Sequence, residues 1–256
     1  MGVRITPMNR QPVGTGGGYI MQATSAESNV LNVSASLGLK TRALTAFVEG
    51  SPIAAFIKGE LRRRGIDVLA KDVPQGGPWG YRHQFNIADS GFGPRGPRVW
   101  NDRAGEVGRT LTAADFDWRA VFERDGARMV HLSGLFAALS PETAGLCVTM
   151  AEQAHAHGAM VSFDLNYRAS FWKGREEELR AAFSRIASLS DILVGNEEDF
   201  QLALGLEGPA AGGRDLVGQT ERFFEMIDRA RRAAHPLPSE TGKTTAHLIK
   251  KAYAAL

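Results

Sequence analysis

The chain has 256 residues, 43% hydrophobic and 23% charged, with a formal net charge of +2. This is ordinary globular composition, enough for one large core or a core with a small appendage. Scattered basic residues argue against a nucleic-acid partner, no apolar run reaches membrane-spanning length, and the single Cys147 argues against a disulfide framework.

Residues 3–6 read as a short strand. A glycine-rich loop, Gly14 to Gly18, precedes a second strand at Tyr19-Ile20-Met21-Gln22-Ala23. A helix is expected over 28–37 and closes at Gly38. Leu44 to Val48 reads as a strand, 52–64 as a helix stopped by Gly65, and Ile66-Asp67-Val68 as the start of another extended segment. From Gly76 to Arg103 the chain is rich in Gly and Pro, with strand-like pieces at 79–87 and 97–102. That pattern predicts a β-hairpin with a disordered or mobile tip near Ser90 to Gly96, and so a lid.

An α/β rhythm then resumes with a strand at Met129 to Ser133. The helix over 141–157 has Ser140 as N-cap, Pro141 at its first position and Gly158 at its end. Apolar runs predict two further buried strands, Ala159 to Phe163 and Asp191 to Val194, with a helix over 175–188 between them. They should be parallel neighbours. A short helix to Leu204, a loop over 208–213 and a helix over 223–234 follow. Residues 244–256 read as one more amphipathic helix.

Two polar clusters follow those buried strands, where open α/β sheets bind ligands. In Asp164-Leu165-Asn166-Tyr167-Arg168, alternation puts Asp164, Asn166 and Arg168 on one side. Arg168 then either grips a carboxylate or phosphate or pairs internally with Asp164. In Asn196-Glu197-Glu198-Asp199, an amide beside three carboxylates suits Mg²⁺ held partly through water, and equally suits a helix N-terminus. Gly242-Lys243-Thr244 ends like a phosphate loop, but Leu237 stands where that motif needs glycine. His155 and His157 are two apart on a helix and cannot form a metal pair. His131 reads as structural.

In order and spacing these segments resemble the ribokinase-like (PfkB-type) carbohydrate kinases, most closely the 2-keto-3-deoxygluconate kinase branch. The resemblance runs from about Ser25 to Ala234. It rests on Ser25-Ala26-Glu27-Ser28-Asn29, Leu61-Arg62-Arg63-Arg64-Gly65-Ile66-Asp67, Asp102-Arg103-Ala104-Gly105 and His131-Leu132-Ser133-Gly134, together with the two clusters and Trp172.

It implies a three-layer α/β/α domain over 1–236, with lid segments near 14–24 and 76–103 and a divergent tail at 237–256. It implies a cytoplasmic enzyme that phosphorylates a sugar acid with ATP and Mg²⁺ as cofactors. Asn29, Tyr81, Arg103 and Arg168 would bind substrate. Asn196 with Glu198 or Asp199 would position the nucleotide, and Asp164 and Asn166 would support them. No direct metal ligand is implied, and a homo-oligomer is compatible with the family.

Two departures stand out. Thr24-Ser25 replaces the family's Gly-Gly pair. No Gly-x-Gly-Asp occurs and no aspartate follows Asp228, so the family's anion hole and catalytic base are missing. The expectation is a C-terminally shortened kinase domain with impaired turnover, or a sugar-acid-binding or regulatory protein, or a product without function.

Overall fold

The structure, a computed structural model, describes residues 1–15, 17–209, 218–234 and 247–250. It divides into two units, Met1–Leu111 and Thr112–Leu256. In the first, β1 (Gly2–Pro7), β2 (Tyr19–Thr24) and α1 (Ala26–Ser36) are followed by β3 (Thr41–Val48), α2 (Pro52–Arg63) and β4 (Ile66–Val73). The strands β5 (Phe85–Asp89) and β6 (Arg98–Asp102) complete it.

Two sheets result. One is four-stranded, in the order β2-β1-β5-β6, and the other pairs β3 with β4 in parallel. The opening strand, read from sequence as a short piece, lies inside the first sheet, antiparallel to β2 and parallel to β5. Ser51 caps α2 with Pro52 in its first turn, and Gly65 (φ 70°) ends it. The core joins Ile57 and Leu61 of α2 to Phe47 of β3, Ile66 of β4 and Val3 of β1. Beside it His83 is 2% exposed. Its Nε2 accepts the Val48 N–H (3.3 Å) and its Nδ1 lies 3.1 Å from the Met1 carbonyl. Burial holds this imidazole below its ordinary pKa.

The predicted hairpin forms as β5 and β6 in antiparallel register, Phe85 opposite Asp102. Its tip, expected to be disordered or mobile, carries a bonded turn. Asp89 accepts the Gly91 N–H (2.9 Å) and pairs with Arg95, which also donates to the Arg10 carbonyl (2.8 Å). A buried carboxylate gathers these donors because leaving it unpaired would be costly.

The second unit contains β7 (Met129–Ser133), α3 (Gly134–Ala137), α4 (Pro141–Ala156), β8 (Met160–Asp164), α5 (Ala169–Trp172) and α6 (Glu176–Ser188). Then come β9 (Ile192–Gly195), α7 (Glu197–Leu204), α8 (Thr220–Ala234) and β10 (His247–Lys250). All four strands are parallel, in the order β10-β9-β8-β7. Ser140 and Thr143 form a reciprocal capping box at α4. Beneath the sheet's carboxyl edge, Phe163, Phe183 and Trp172 meet edge to face, with centroids 5.2 and 4.9 Å apart. Gly134 is obligatory there, since an added Cβ would overlap the Leu165 carbonyl and the Phe183 ring. Cys147 is fully buried.

One expectation is overturned. Residues 247–250, predicted to lie in a helix, form β10, with Leu248 opposite Leu193. A parallel edge at β9 offers a row of backbone partners, and tertiary pairing outweighs a helical apolar stripe. The remainder of 244–256, Gly16 and residues 210–213 of the predicted loop lie outside the described residues.

Candidate active site at the carboxyl edge of the second sheet

Asp164 ends β8 and Asn196 follows β9, on neighbouring parallel strands, as the sequence predicts. Backbone pairing continues one residue past β8, where the Leu165 N–H donates to the Val194 carbonyl (2.8 Å). The chain then turns sharply at Asn166, whose φ of 38° lies in the left-handed region. Asparagine tolerates that region better than most residues. Two bonds hold the turn. The Asn166 N–H donates to Asp164 Oδ1 (3.2 Å), and its side-chain Nδ2 donates to Ser133 Oγ at the end of β7 (3.1 Å).

Beyond the turn, the Tyr167 N–H donates to Asp199 Oδ1 (3.1 Å). Asp199 also accepts the Asn196 N–H on Oδ2 (3.0 Å), while Asn196 Oδ1 accepts the Asp199 N–H (2.8 Å). The acidic run is therefore a helix N-terminus, with a capping box built from Asn196 and Asp199. Asp199 is 8% exposed, whereas Asn196 and Glu198 are exposed.

Arg168 is exposed at the same edge. Its Nη1 donates to the Tyr167 carbonyl (2.6 Å), and no ion pair joins it to Asp164 among the described residues. The internal salt bridge is thus not formed. Nearby, Arg175 donates to the Ala138 carbonyl (2.8 Å) and pairs with Glu178, tying the start of α6 to the end of α3. That pairing lowers the Glu178 carboxyl pKa.

Six of the expected residues therefore come together here: Asp164, Asn166, Arg168, Asn196, Glu198 and Asp199. Asn29, Tyr81 and Arg103 belong to the first unit. Asn29 is exposed on α1. Tyr81 is 41% exposed, and its backbone N–H donates to the Gln75 carbonyl (2.7 Å). Arg103 Nη1 donates to both carboxylate oxygens of Glu106 (3.0 and 2.8 Å). Ser25, which departs from the family's glycine, spends its hydroxyl on the cap of α1 by accepting the Ser28 N–H (3.0 Å). His131 is a cross-strand partner of Ser162 (3.0 Å).

Sequence reasoning missed Ser133 and the capping role of Asp199. The second had a signal, since Asn-x-x-Asp has capping-box spacing. The first had none, because Ser133 acts through a neighbouring strand. Among the described residues no cluster of three His, Cys, Asp or Glu side chains forms a metal site.

Residues 98–239, more than half of the chain, match the model of the pfkB family carbohydrate kinases. The chain belongs to this family. A 5-dehydro-2-deoxygluconokinase of Clostridium tetani is 34% identical over 83 residues, which is 32% of this chain and 24% of that protein. A 2-dehydro-3-deoxygluconokinase of Thermoproteus tenax is 28% identical over 152 residues, 58% of this chain and 43% of that one. The crystal structure of the 2-dehydro-3-deoxygluconokinase of Thermotoga maritima superposes with a TM-score of 0.77 at 25% identity, covering 91% of this chain and 67% of its own. The fold is thus the mixed α/β ribokinase-like fold of the pfkB kinases. The matches span less than half the length of these two curated relatives.

Proposed function

We propose that the chain provides the sugar-acid-binding part of a pfkB-type kinase reaction, with 2-keto-3-deoxygluconate as the preferred substrate. The observation that carries this reading is Arg168. It is an exposed guanidinium without a carboxylate partner among the described residues, on a braced turn at a parallel sheet's carboxyl edge. A planar fork of donors suits a substrate carboxylate, and a turn already bonded in place binds with little ordering cost. For the first unit the family resemblance implies Asn29 as a contact to sugar hydroxyls, and Tyr81 and Arg103 as further substrate contacts.

Family membership implies ATP as phosphoryl donor. The site's fit to magnesium is through water. The Asp199 oxygens and the Asn196 amide oxygen already accept backbone N–H groups, whereas Glu198, the exposed carboxylate of the run, is turned to solvent. Mg²⁺ keeps several waters readily, so Glu198 and the Asn196 amide nitrogen would hold hydrated Mg²⁺-ATP. The bound ion would neutralise phosphate charge. Phosphoryl transfer also needs a base at the sugar hydroxyl, and no aspartate follows Asp228 in this sequence. A positioned general base contributes roughly 10²–10⁴-fold, so the chain by itself should turn over far below the usual rate of about 1–10³ s⁻¹.

Calorimetry with 2-keto-3-deoxygluconate, 5-keto-2-deoxygluconate and glucose tests the reading, beside a coupled ADP-release assay. Binding of the keto-deoxy acids, with glucose ignored and little ADP released, is expected. Equal binding of glucose would remove the carboxylate from the argument. ADP release at ordinary kinase rates would show that a base is present elsewhere.

A further inference from the structure

We propose that Asp199 is a positioning residue: it clasps the segment after β8 to the segment after β9 and so presents Arg168. The proposal rests on the functional reading only for what Arg168 binds.

A helix cap needs one side-chain acceptor in its first turn. Asp199 does more. One carboxylate oxygen closes the capping box on the Asn196 N–H, and the other takes the Tyr167 N–H, 32 residues away in sequence. Tyr167 N–H has no ladder partner to use, because pairing between β8 and β9 ends at Leu165. The same residue's carbonyl accepts Arg168 Nη1. A continuous path of hydrogen bonds therefore runs from the first turn of α7, through Tyr167, to the guanidinium. On the other flank, Asn166 is held in its left-handed turn by Ser133. The 165–168 segment is fixed to β7, β9 and α7 before any ligand arrives.

Bonds to an ionised acceptor are the stronger kind, and Asp199 is nearly enclosed. Its job is accordingly geometric: both oxygens are directed at backbone, and the neighbour that meets solvent is Glu198. A clasp and a metal ligand differ in one respect. The clasp affects sugar-acid binding with no metal or nucleotide present.

The test combines amide hydrogen exchange with calorimetry on the full chain in metal-free, nucleotide-free buffer. In D199A, Tyr167 exchange should rise about tenfold or more, as loss of one such bond implies, while Leu165, bonded to Val194, keeps its protection. Affinity for 2-keto-3-deoxygluconate should fall roughly tenfold in the same buffer. If D199A does not fold, D199N is the substitute, because it keeps the shape and one acceptor oxygen. Faster exchange at Tyr167 or Asn196 is then expected. Unchanged exchange at Tyr167 and Asn196 in a folded variant overturns the clasp. Unchanged sugar-acid affinity despite faster exchange overturns the positioning role. Should the wild-type chain bind no sugar acid, the functional reading fails, and the exchange at Tyr167 alone decides the clasp.

Discussion

Asp199, in the first turn of α7 in the second unit, and Asp89, at the end of β5 in the first, are both buried carboxylates, yet they are satisfied differently. Asp199 accepts two backbone N–H groups from segments that follow neighbouring parallel strands. Asp89 accepts backbone N–H groups from Gly91 and Val13 and pairs with the Arg95 guanidinium, which in turn reaches the Arg10 carbonyl. The first arrangement fixes main chain to main chain on an edge already paired on both sides. The second closes a hairpin tip with a long side chain, beside a strand, β6, that is exposed along its whole length. A site built on the first kind of edge is preorganised. The hairpin tip is instead held partly through one long side chain, Arg95.

The largest expected effect lies under the preorganised edge. Phe183→Ala removes the ring that meets both Phe163 and Trp172 and should destabilise the second unit by about 3–5 kcal/mol in chemical denaturation. A loss below about 1 kcal/mol would show that the edge does not depend on this aromatic cluster.

Next is the turn itself. Asn166→Ala loses the bond to Ser133 and forces an alanine to φ 38°, for an expected cost of about 1–3 kcal/mol. Asn166→Gly should cost less, since glycine accepts positive φ freely. If the two variants are equally destabilised, the turn is not under backbone constraint.

The first unit should show its dependence on protonation. The Gly91 N–H and the Arg95 pair lower the Asp89 carboxyl pKa. Its stabilisation is therefore full above the ordinary carboxylate pKa near 3.9 and is lost as pH falls through the depressed folded value. His83 is lowered by burial, so folding favours the neutral ring. Its contribution is full above about pH 6.5 and is lost as pH falls from there toward the folded value. Denaturation midpoints of the wild-type chain should therefore slope downward below about pH 6.5, and His83→Gln should flatten that stretch. An unchanged slope in the variant would assign it to another group.

Least affected should be the open face of the hairpin sheet. Trp100 on β6 is 46% exposed, and Trp100→Ala should shift stability by about 0.5 kcal/mol or less. A shift comparable to that of Phe183→Ala would mean that β6 is covered in solution.

Much of this was legible in the sequence because it is local. Apolar runs gave β7, β8 and β9 of the second unit, and Ser140-Pro141 gave the start of α4. The α/β class and the adjacency of Asp164 and Asn196 followed from that rhythm. What was not legible depends on distant partners. The position of β1 inside a four-stranded sheet requires β5, some eighty residues away. Residues 247–250 carry a helical stripe, but pair as a strand because β9 offers an edge. At the hairpin tip, the pairing of Asp89 with Arg95 carries no signal in the local glycine pattern. At the site, residue types identified Arg168 and the acidic run. Their division of labour, with Asp199 facing backbone and Glu198 facing solvent, appears only when the segments after β8 and β9 are seen side by side.

The central claim is that Arg168 on this braced edge receives a sugar-acid carboxylate. Titration calorimetry of 2-keto-3-deoxygluconate into the wild-type chain and Arg168→Ala tests it most directly. Removing a charge-assisted pair should weaken binding by roughly 10–100-fold, with the unfolding midpoint unchanged because Arg168 is exposed. Equal affinity in the two proteins would contradict the account.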